Sequence, residues 1–269
     1  MTIYKDITQV IKPSTPLMKN PNINSGEIET ECLFGDKFKI LRSKKDYLYG
    51  RLLSDNYCGW VKKDDFNKTT NNTHKVVVPR TFIYENPNLK SKVINYIPMG
   101  GLIFCEDVCD KWIKIIWNYM NTSLHGFVIK KHVKNIKDTS YNWLEKAKSL
   151  IGTPYKWGGK DSLGIDCSAL IQLSLQNCNL LCPRNSSDQI NLPGDNIENI
   201  SLIRNGDLVF WNGHVGIYLE NKNFLHSNAF TMSTTIENFD TVIKRIEKEY
   251  GPIILIKRIK LRCLKLLYL

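Results

Sequence analysis

Three side chains in this chain have the types and spacing for nucleophilic catalysis: Cys167, His214 and His226. Cys167 stands where a helix is predicted to begin. Asp166 before it suits the N-cap, because its carboxylate can accept an N–H of the first turn. The helix dipole favours negative charge there, so the thiol pKa is expected below its usual ~8.5. A thiolate is the attacking species, which makes the position suitable for a nucleophile. His214 opens a predicted strand after a Trp-Asn-Gly turn, and His226 follows on the next strand. Two such strands joined by a short turn can bring the imidazoles together. One ring can then take the thiol proton while the other fixes its tautomer and orientation. An isolated Cys or His is most often structural, and only the combination points to catalysis. Zinc is the competing reading, but two His and one Cys lack a nearby fourth ligand, and no CxxC pair occurs. No metal is expected.

The elements that must position these residues can be read from periodicity. Residues 142–151 read as a short amphipathic helix with Trp143, Leu144, Ala147, Leu150 and Ile151 on one side, ended by Gly152-Thr-Pro154. A Gly-rich loop, 157–164, leads to a second helix from Cys167 to about Asn177. Its predicted buried stripe is Leu170, Ile171, Ser174, Leu175 and Cys178. Three strand-like runs follow, at 207–211, 214–219 and 223–227. Closely spaced strands with short turns predict an antiparallel sheet, and a helix before such a sheet makes an α+β domain.

The first half contains a weak repeat. Leu17-Met-Lys-Asn-Pro21 is echoed by Ile83-Tyr-Glu-Asn-Pro87, and a Gly turn before an apolar strand recurs at Phe34–Ile40 and Met99–Phe104. Gly59-Trp-Val-Lys-Lys-Asp-Asp-Phe66 is echoed by Gly126-Phe-Val-Ile-Lys-Lys-His-Val133. Three matches in one order argue for duplication. Each copy is rich in short β-type runs, which in so few residues predict a small barrel. The pattern resembles bacterial SH3-type domains. The expected domains are therefore two all-β SH3-like barrels at 1–70 and 71–138, with the α+β unit at 139–269.

Composition bounds the rest. The chain has 269 residues, 42% hydrophobic and 23% charged, as a globular protein does. Its net charge of +11 is scattered without a run of five basic residues, so it reads as a solvated surface and not a nucleic-acid site. No apolar stretch approaches the ~18 residues a membrane span needs. Residues 253–269 are apolar but broken by Lys and Arg, and are expected to form a last strand and a packed tail. Residues 1–10 lack the apolar core of a signal peptide, so a cytoplasmic location is expected, with reduced cysteines and seven of the eight packed as small core residues.

Six blocks in order carry a family resemblance: Thr153-Pro-Tyr-Lys-Trp-Gly-Gly159, Gly164-Ile-Asp-Cys-Ser-Ala-Leu170, Pro183-Arg-Asn-Ser186, Asn205-Gly-Asp-Leu-Val-Phe-Trp211, Gly213-His-Val-Gly216 and Leu225-His-Ser-Asn-Ala229. Together they resemble the NlpC-type cell-wall peptidases, which have a papain-like fold. The resemblance implies Cys167 as nucleophile, His214 as base and His226 as the orienting third residue. It implies that Tyr155 lies over the site, where it can help bind the substrate amine or the oxyanion, and that Asp166, Ser168 and Ser186 line the substrate pocket. Ala169 stands where the family usually has Gly. Two SH3-type copies before the catalytic unit resemble the subgroup that cleaves γ-D-glutamyl–diamino acid bonds in released wall peptides. In that subgroup the first barrel closes one end of the cleft, so that only a free N-terminal L-Ala fits. Glu27 and Tyr57 are the candidates for that barrel's share of the pocket. The implied partner is a peptidoglycan-derived peptide, and no cofactor is needed. Two other readings stay open: a hydrolase of intact wall with the barrels as binding modules, and a non-catalytic wall-peptide-binding protein. The exact diamino acid and the oligomeric state are left open too.

Overall fold

The structure is a computed structural model that describes residues 7–22, 27–119, 122–139 and 142–264. The segment 1–6 and the tail from Lys265 onward lie outside the described residues. The chain divides into two compact units. One runs to Thr139 and takes in Lys160–Ser162, and the other comprises the described residues of Ser140–Gly159 and Leu163–Leu267.

The first unit contains two seven-stranded sheets. Along the first sheet the strands lie in the order 28–33, 14–18, 58–62, 47–52, 37–44, 7–10 and 66–67. Along the second they lie in the order 93–98, 80–84, 122–129, 112–119, 102–109, 74–76 and 133–135. Counted within its own copy, each sheet runs third, second, sixth, fifth, fourth, first, seventh. A 3-10 turn precedes the last strand of both, at Lys63–Asp65 and Lys130–His132. The weak sequence repeat thus corresponds to a repeated topology.

Alternation builds each core. In the strand Trp112–Tyr119, Ile113, Ile115 and Trp117 are buried on one face and join Val76, Ile83, Val128 and Val133. The first copy gathers Val10, Leu17, Phe38, Leu48, Val61 and Phe66 in the same way. Phe34, from the first copy, packs into the second copy's core, and its carbonyl accepts from the Leu102 N–H at 2.8 Å. Gly35 makes this approach possible. Its φ is +82°, and a Cβ there would lie 2.0 Å from the Leu102 carbonyl oxygen. The cysteines depart from expectation. All eight are free, but besides Cys167 only Cys32, Cys178 and Cys182 are buried, while Cys58, Cys109 and Cys263 are exposed. Cys58 and Cys109 occupy outward positions at the ends of their strands, where alternation points away from the core.

The second unit is α+β, as the sequence predicts. Its six-stranded sheet consists of β1 (Gly194–Asn196), β2 (Leu208–Trp211), β3 (His214–Leu219), β4 (Asn223–Asn228), β5 (Ser233–Asn238) and β6 (Leu255–Ile259). The order is β1-β6-β2-β3-β4-β5, antiparallel throughout. Helix α1 spans Trp143–Lys148 and α2 spans Cys167–Asn177. Instead of burying one stripe, α2 is buried on every side, including Gln172, Ser174, Gln176 and Asn177. A short α3 (Ser186–Gln189) follows.

Residues 239–250, for which the sequence reading names no element, form α4. Asn238 caps it by accepting from the Thr241 N–H, and Gly251, at φ +85°, ends it. Phe239, Val242 and Ile246 pack on Val209, Trp211, Phe224 and Ile256 of the sheet. Each such burial contributes ~1.5–3 kcal/mol. That packing holds a helix of 12 residues, a length that is marginal in isolation.

Candidate active site

The N-terminus of α2 is fixed by one carboxylate. Asp166 has extended backbone (φ −97°, ψ 179°), and its Oδ1 accepts from the Ala169 N–H at 2.8 Å. The buried guanidinium of Arg184 grips the same carboxylate with two nitrogens, at 2.9 Å to Oδ1 and 2.6 Å to Oδ2. Arg184 also donates to the Ser168 hydroxyl at 2.7 Å, and the Gly158 N–H donates to Asp166 Oδ2 at 3.1 Å. A bidentate pair with several further bonds offsets the cost of burying both charges. It also sets Cys167 rigidly as the first helical residue.

Cys167 faces the start of β3. Its Sγ lies 3.9 Å from the Gly213 carbonyl oxygen, and the Val215 N–H is directed at the sulfur. The backbone on both sides of His214 therefore touches the nucleophile candidate. Burial, with a smaller push from Asp166, raises the thiol to about 12. This corrects the expectation of a lowered pKa: desolvation outweighs the helix dipole at a sulfur this enclosed. Burial likewise pushes His214 down to about 3, helped by His226 and Arg245. Both shifts favour the uncharged forms, a thiol at Cys167 and a neutral imidazole at His214.

The two imidazoles and a carboxylate stand in a line. His214 Nε2 and His226 Nδ1 are 2.9 Å apart. His226 Nε2 is 2.9 Å from Glu237 Oε2, and Arg245 donates to both oxygens of Glu237 at 2.7 and 2.8 Å. His226 and Arg245 together hold the Glu237 carboxyl down at about 2, so it is ionised and can only accept. An acceptor-only Glu237 favours one set of tautomers, although the Asn228 Nδ2 also lies 3.1 Å from His226 Nε2. In that set His226 donates from Nε2 to Glu237, its Nδ1 accepts from His214 Nε2, and the His214 Nδ1 lone pair is free to accept a proton.

Sheet register makes the line. His226 on β4 is opposite Thr235 on β5, and Glu237, two residues on, shares its face as a diagonal neighbour. Gly216 on β3 gives the room. A Cβ there would lie 2.4 Å from the Phe224 ring and 2.9 Å from the His226 Cβ. The glycine of the Gly-His-Val-Gly block is thus a clearance for the third residue.

Comparison with known proteins identifies the domains. Residues 152–247 match the NlpC/P60 family, and residues 17–66 match the bacterial dipeptidyl-peptidase SH3 domain. Residues 152–247 form an NlpC/P60 domain. The family consists of cell-wall peptidases of the cysteine class. The chain is 26% identical over 250 residues to "Dipeptidyl-peptidase 6" of Lysinibacillus sphaericus, covering 86% of this chain and 91% of that protein. It is 24% identical over 219 residues to the "Gamma-D-glutamyl-L-lysine dipeptidyl-peptidase" of Bacillus subtilis, covering 74% and 72%. The fold matches an NlpC/P60 family protein from Bacillus cereus with a TM-score of 0.77 at 17% identity, over 94% of this chain and 99% of that one.

Within the NlpC/P60 domain, Asp166 bonds Ser168 beside Cys167, Cys167 rests against the backbone flanking His214, and Tyr155, His214 and His226 line one cavity. Tyr155 is half-buried, and burial with the nearby Cys167 and Asp166 raises its pKa, so the phenol stays protonated and can donate. Ser186 is half-buried at the start of α3, two residues beyond Arg184. Glu27 and Tyr57 belong to the first unit. Glu27 is exposed and accepts from Asn20 at 2.6 Å. Tyr57 packs partly on the first barrel's core and donates to Glu29 at 3.0 Å. The sequence reading misses Arg184, Glu237 and Arg245. Arg184 stands inside the quoted Pro-Arg-Asn-Ser block, and its charge is the only signal there of a buried partner for Asp166. Among the described residues, no cluster of His, Cys, Asp and Glu is placed to hold a metal ion, and no helix is long and apolar enough to cross a membrane.

Proposed function

We propose that the chain is a cytoplasmic cysteine endopeptidase that hydrolyses the γ-D-glutamyl–diamino acid bond of peptidoglycan-derived peptides with a free N-terminal L-Ala. The observation that carries the proposal is the ordered line from His214 through His226 to Glu237, with Cys167 against the backbone of His214. Similarity to a γ-D-glutamyl-L-lysine dipeptidyl-peptidase across most of both chains supports the substrate class.

In this reading the Cys167 sulfur attacks the γ-carbonyl carbon while His214 Nδ1 takes the thiol proton. The oxyanion receives the Cys167 N–H and the Tyr155 hydroxyl. His214 then gives its proton to the leaving amine, and a thioester remains. Water, deprotonated by His214, attacks the thioester and restores the thiol. His226 holds the His214 ring and shares the charge of its imidazolium. Asp166 and Glu27 are the carboxylates proposed for the L-Ala ammonium. Arg184 already pairs with the Asp166 carboxylate. Tyr57, Ser168 and Ser186 complete the peptide's contacts.

The test is kcat/KM for L-Ala-γ-D-Glu-L-Lys against its N-acetylated form. An ammonium that loses its carboxylate partner in a partly desolvated pocket costs several kcal/mol, so the acetylated peptide should be at least ~100-fold worse. Near-equal values, or faster release from intact wall than from free peptide, would refute the proposal.

A further inference from the structure

The second unit has a cavity of about 300 Å³ beside His214, with Trp157, Phe230, Arg245, Glu249 and Tyr250 in its wall. Its rim carries large side chains that a stable domain normally covers: Trp157 is 75% exposed, Phe230 72% and Tyr250 48%. Exposed aromatic surface gathered at one place marks a binding site. The volume is at the small end for ligand pockets and suits one amino-acid residue rather than a long peptide.

The chemistry decides which part of a peptide belongs there. In acyl transfer to Cys167, the acyl half bonds to sulfur, while the departing amine takes its proton from His214. Tyr155, Gly213, His214 and His226 are in the cavity wall, so the cavity opens on the proton-transferring side of the site, while Cys167 itself is not in the wall. The half that departs therefore lies on the side of the cavity.

Charge decides what kind of residue it takes. Arg245 spends two nitrogens on Glu237, and its guanidinium covers the Phe230 ring at 4.1 Å. That ion pair is neutral overall. Glu249 is exposed, forms no ion pair among the described residues and is hydrogen-bonded by Tyr250. One unbalanced carboxylate above aromatic faces suits an ammonium group on an aliphatic arm.

We propose that this cavity is the leaving-group subsite and that Glu249 reads the side-chain ammonium of a diamino acid. The inference rests on the peptidase reading above and adds a direction to it. Lysine presents only an ammonium at the end of its arm. Meso-diaminopimelate presents a carboxylate there as well, which Glu249 repels. Lysine peptides are thus the better substrates.

The test uses the full chain and three peptides: L-Ala-γ-D-Glu followed by L-lysine, by L-norleucine, or by meso-diaminopimelate. Norleucine keeps the length of the arm and lacks the charge. With Glu249 exposed, the wild-type kcat/KM ratio of lysine to norleucine should be roughly fivefold, and lysine should also exceed diaminopimelate. Glu249→Gln should bring the lysine-to-norleucine ratio close to one. Glu249→Lys should invert it and favour an L-aminoadipate peptide, which ends in a carboxylate. Wild-type values equal for lysine and norleucine, or a ratio that survives both substitutions, would overturn the subsite and leave the peptidase reading standing. Failure to cut any of the peptides would overturn the peptidase reading and this inference with it.

Discussion

Glu237→Gln removes one charge and almost no volume, and it isolates what the carboxylate does for the histidines. Glu237 accepts from His226 Nε2 at 2.9 Å and from two nitrogens of Arg245. As His214 becomes an imidazolium, the bond it gives to His226 and the bond His226 gives to Glu237 both strengthen. A hydrogen bond to a charged group is worth ~1.5–3 kcal/mol and a neutral one ~0.5–1.5, so the substitution costs the transition state ~1–1.5 kcal/mol. Arg245 then stands uncompensated, and its charge already depresses both imidazoles. With that added, the loss is ~1.5–3 kcal/mol, or about 10- to 150-fold in kcat. KM should change little, since Glu237 acts through His226 and not on substrate. The pH profile gives a second readout. The imidazole pair must be neutral to take the thiol proton, and burial lowers both rings, so the wild-type acid limb of kcat/KM should lie well below 6.5. Glu237 raises His226, so Glu237→Gln should move the limb to still lower pH. Arg245 lowers both rings, so Arg245→Gln should move it to higher pH. The assay is amine release from L-Ala-γ-D-Glu-L-Lys between pH 3 and 9. An unchanged kcat in Glu237→Gln, or shifts of the two variants in the same direction, would refute the relay.

Cys167→Ala should abolish turnover yet keep the wild-type melting curve, as it removes one sulfur from a packed helix end. His214→Ala should lose at least ~1,000-fold in kcat and His226→Ala less, about 10- to 100-fold, because the first is the base and the second holds it; steady-state kinetics of both variants checks the ranking. Arg184→Met leaves the Asp166 charge buried without its partner and should destabilise the fold by ~3–5 kcal/mol in urea denaturation. Gly216→Ala should lower kcat more than stability, because the added Cβ meets the Phe224 ring and the His226 Cβ and moves the third residue off its line; kinetics and melting measured on the same preparation separate the two effects.

The legibility of this protein in its sequence follows the range over which each feature is set. Helix α2 was legible from Asp166, because an N-cap is written within four residues. The strands carrying His214 and His226 were legible from alternating runs and the Gly213 turn. The repeat was legible because glycines and aromatic strand ends recur at like positions, and the matching strand orders show what they encode. The solvation of Cys167 was not legible. The helix dipole acts locally and can be inferred from position, whereas desolvation depends on everything packed around α2, and it has the opposite sign. Glu237 and Arg245 lay further out of reach. Their partnership with His226 requires the β4–β5 register, which sets Glu237 diagonally across, and the seating of α4, which turns Arg245 toward that carboxylate. The Asn238 cap, the Gly251 stop and the spacing of Phe239, Val242 and Ile246 were present in the sequence as signs of that helix. Even with α4 recognised, nothing local distinguishes Arg245 from the lysines of the same helix. What distinguishes it is a carboxylate that can orient His226 only while it stays ionised, and Arg245 is one of the two groups that hold it so.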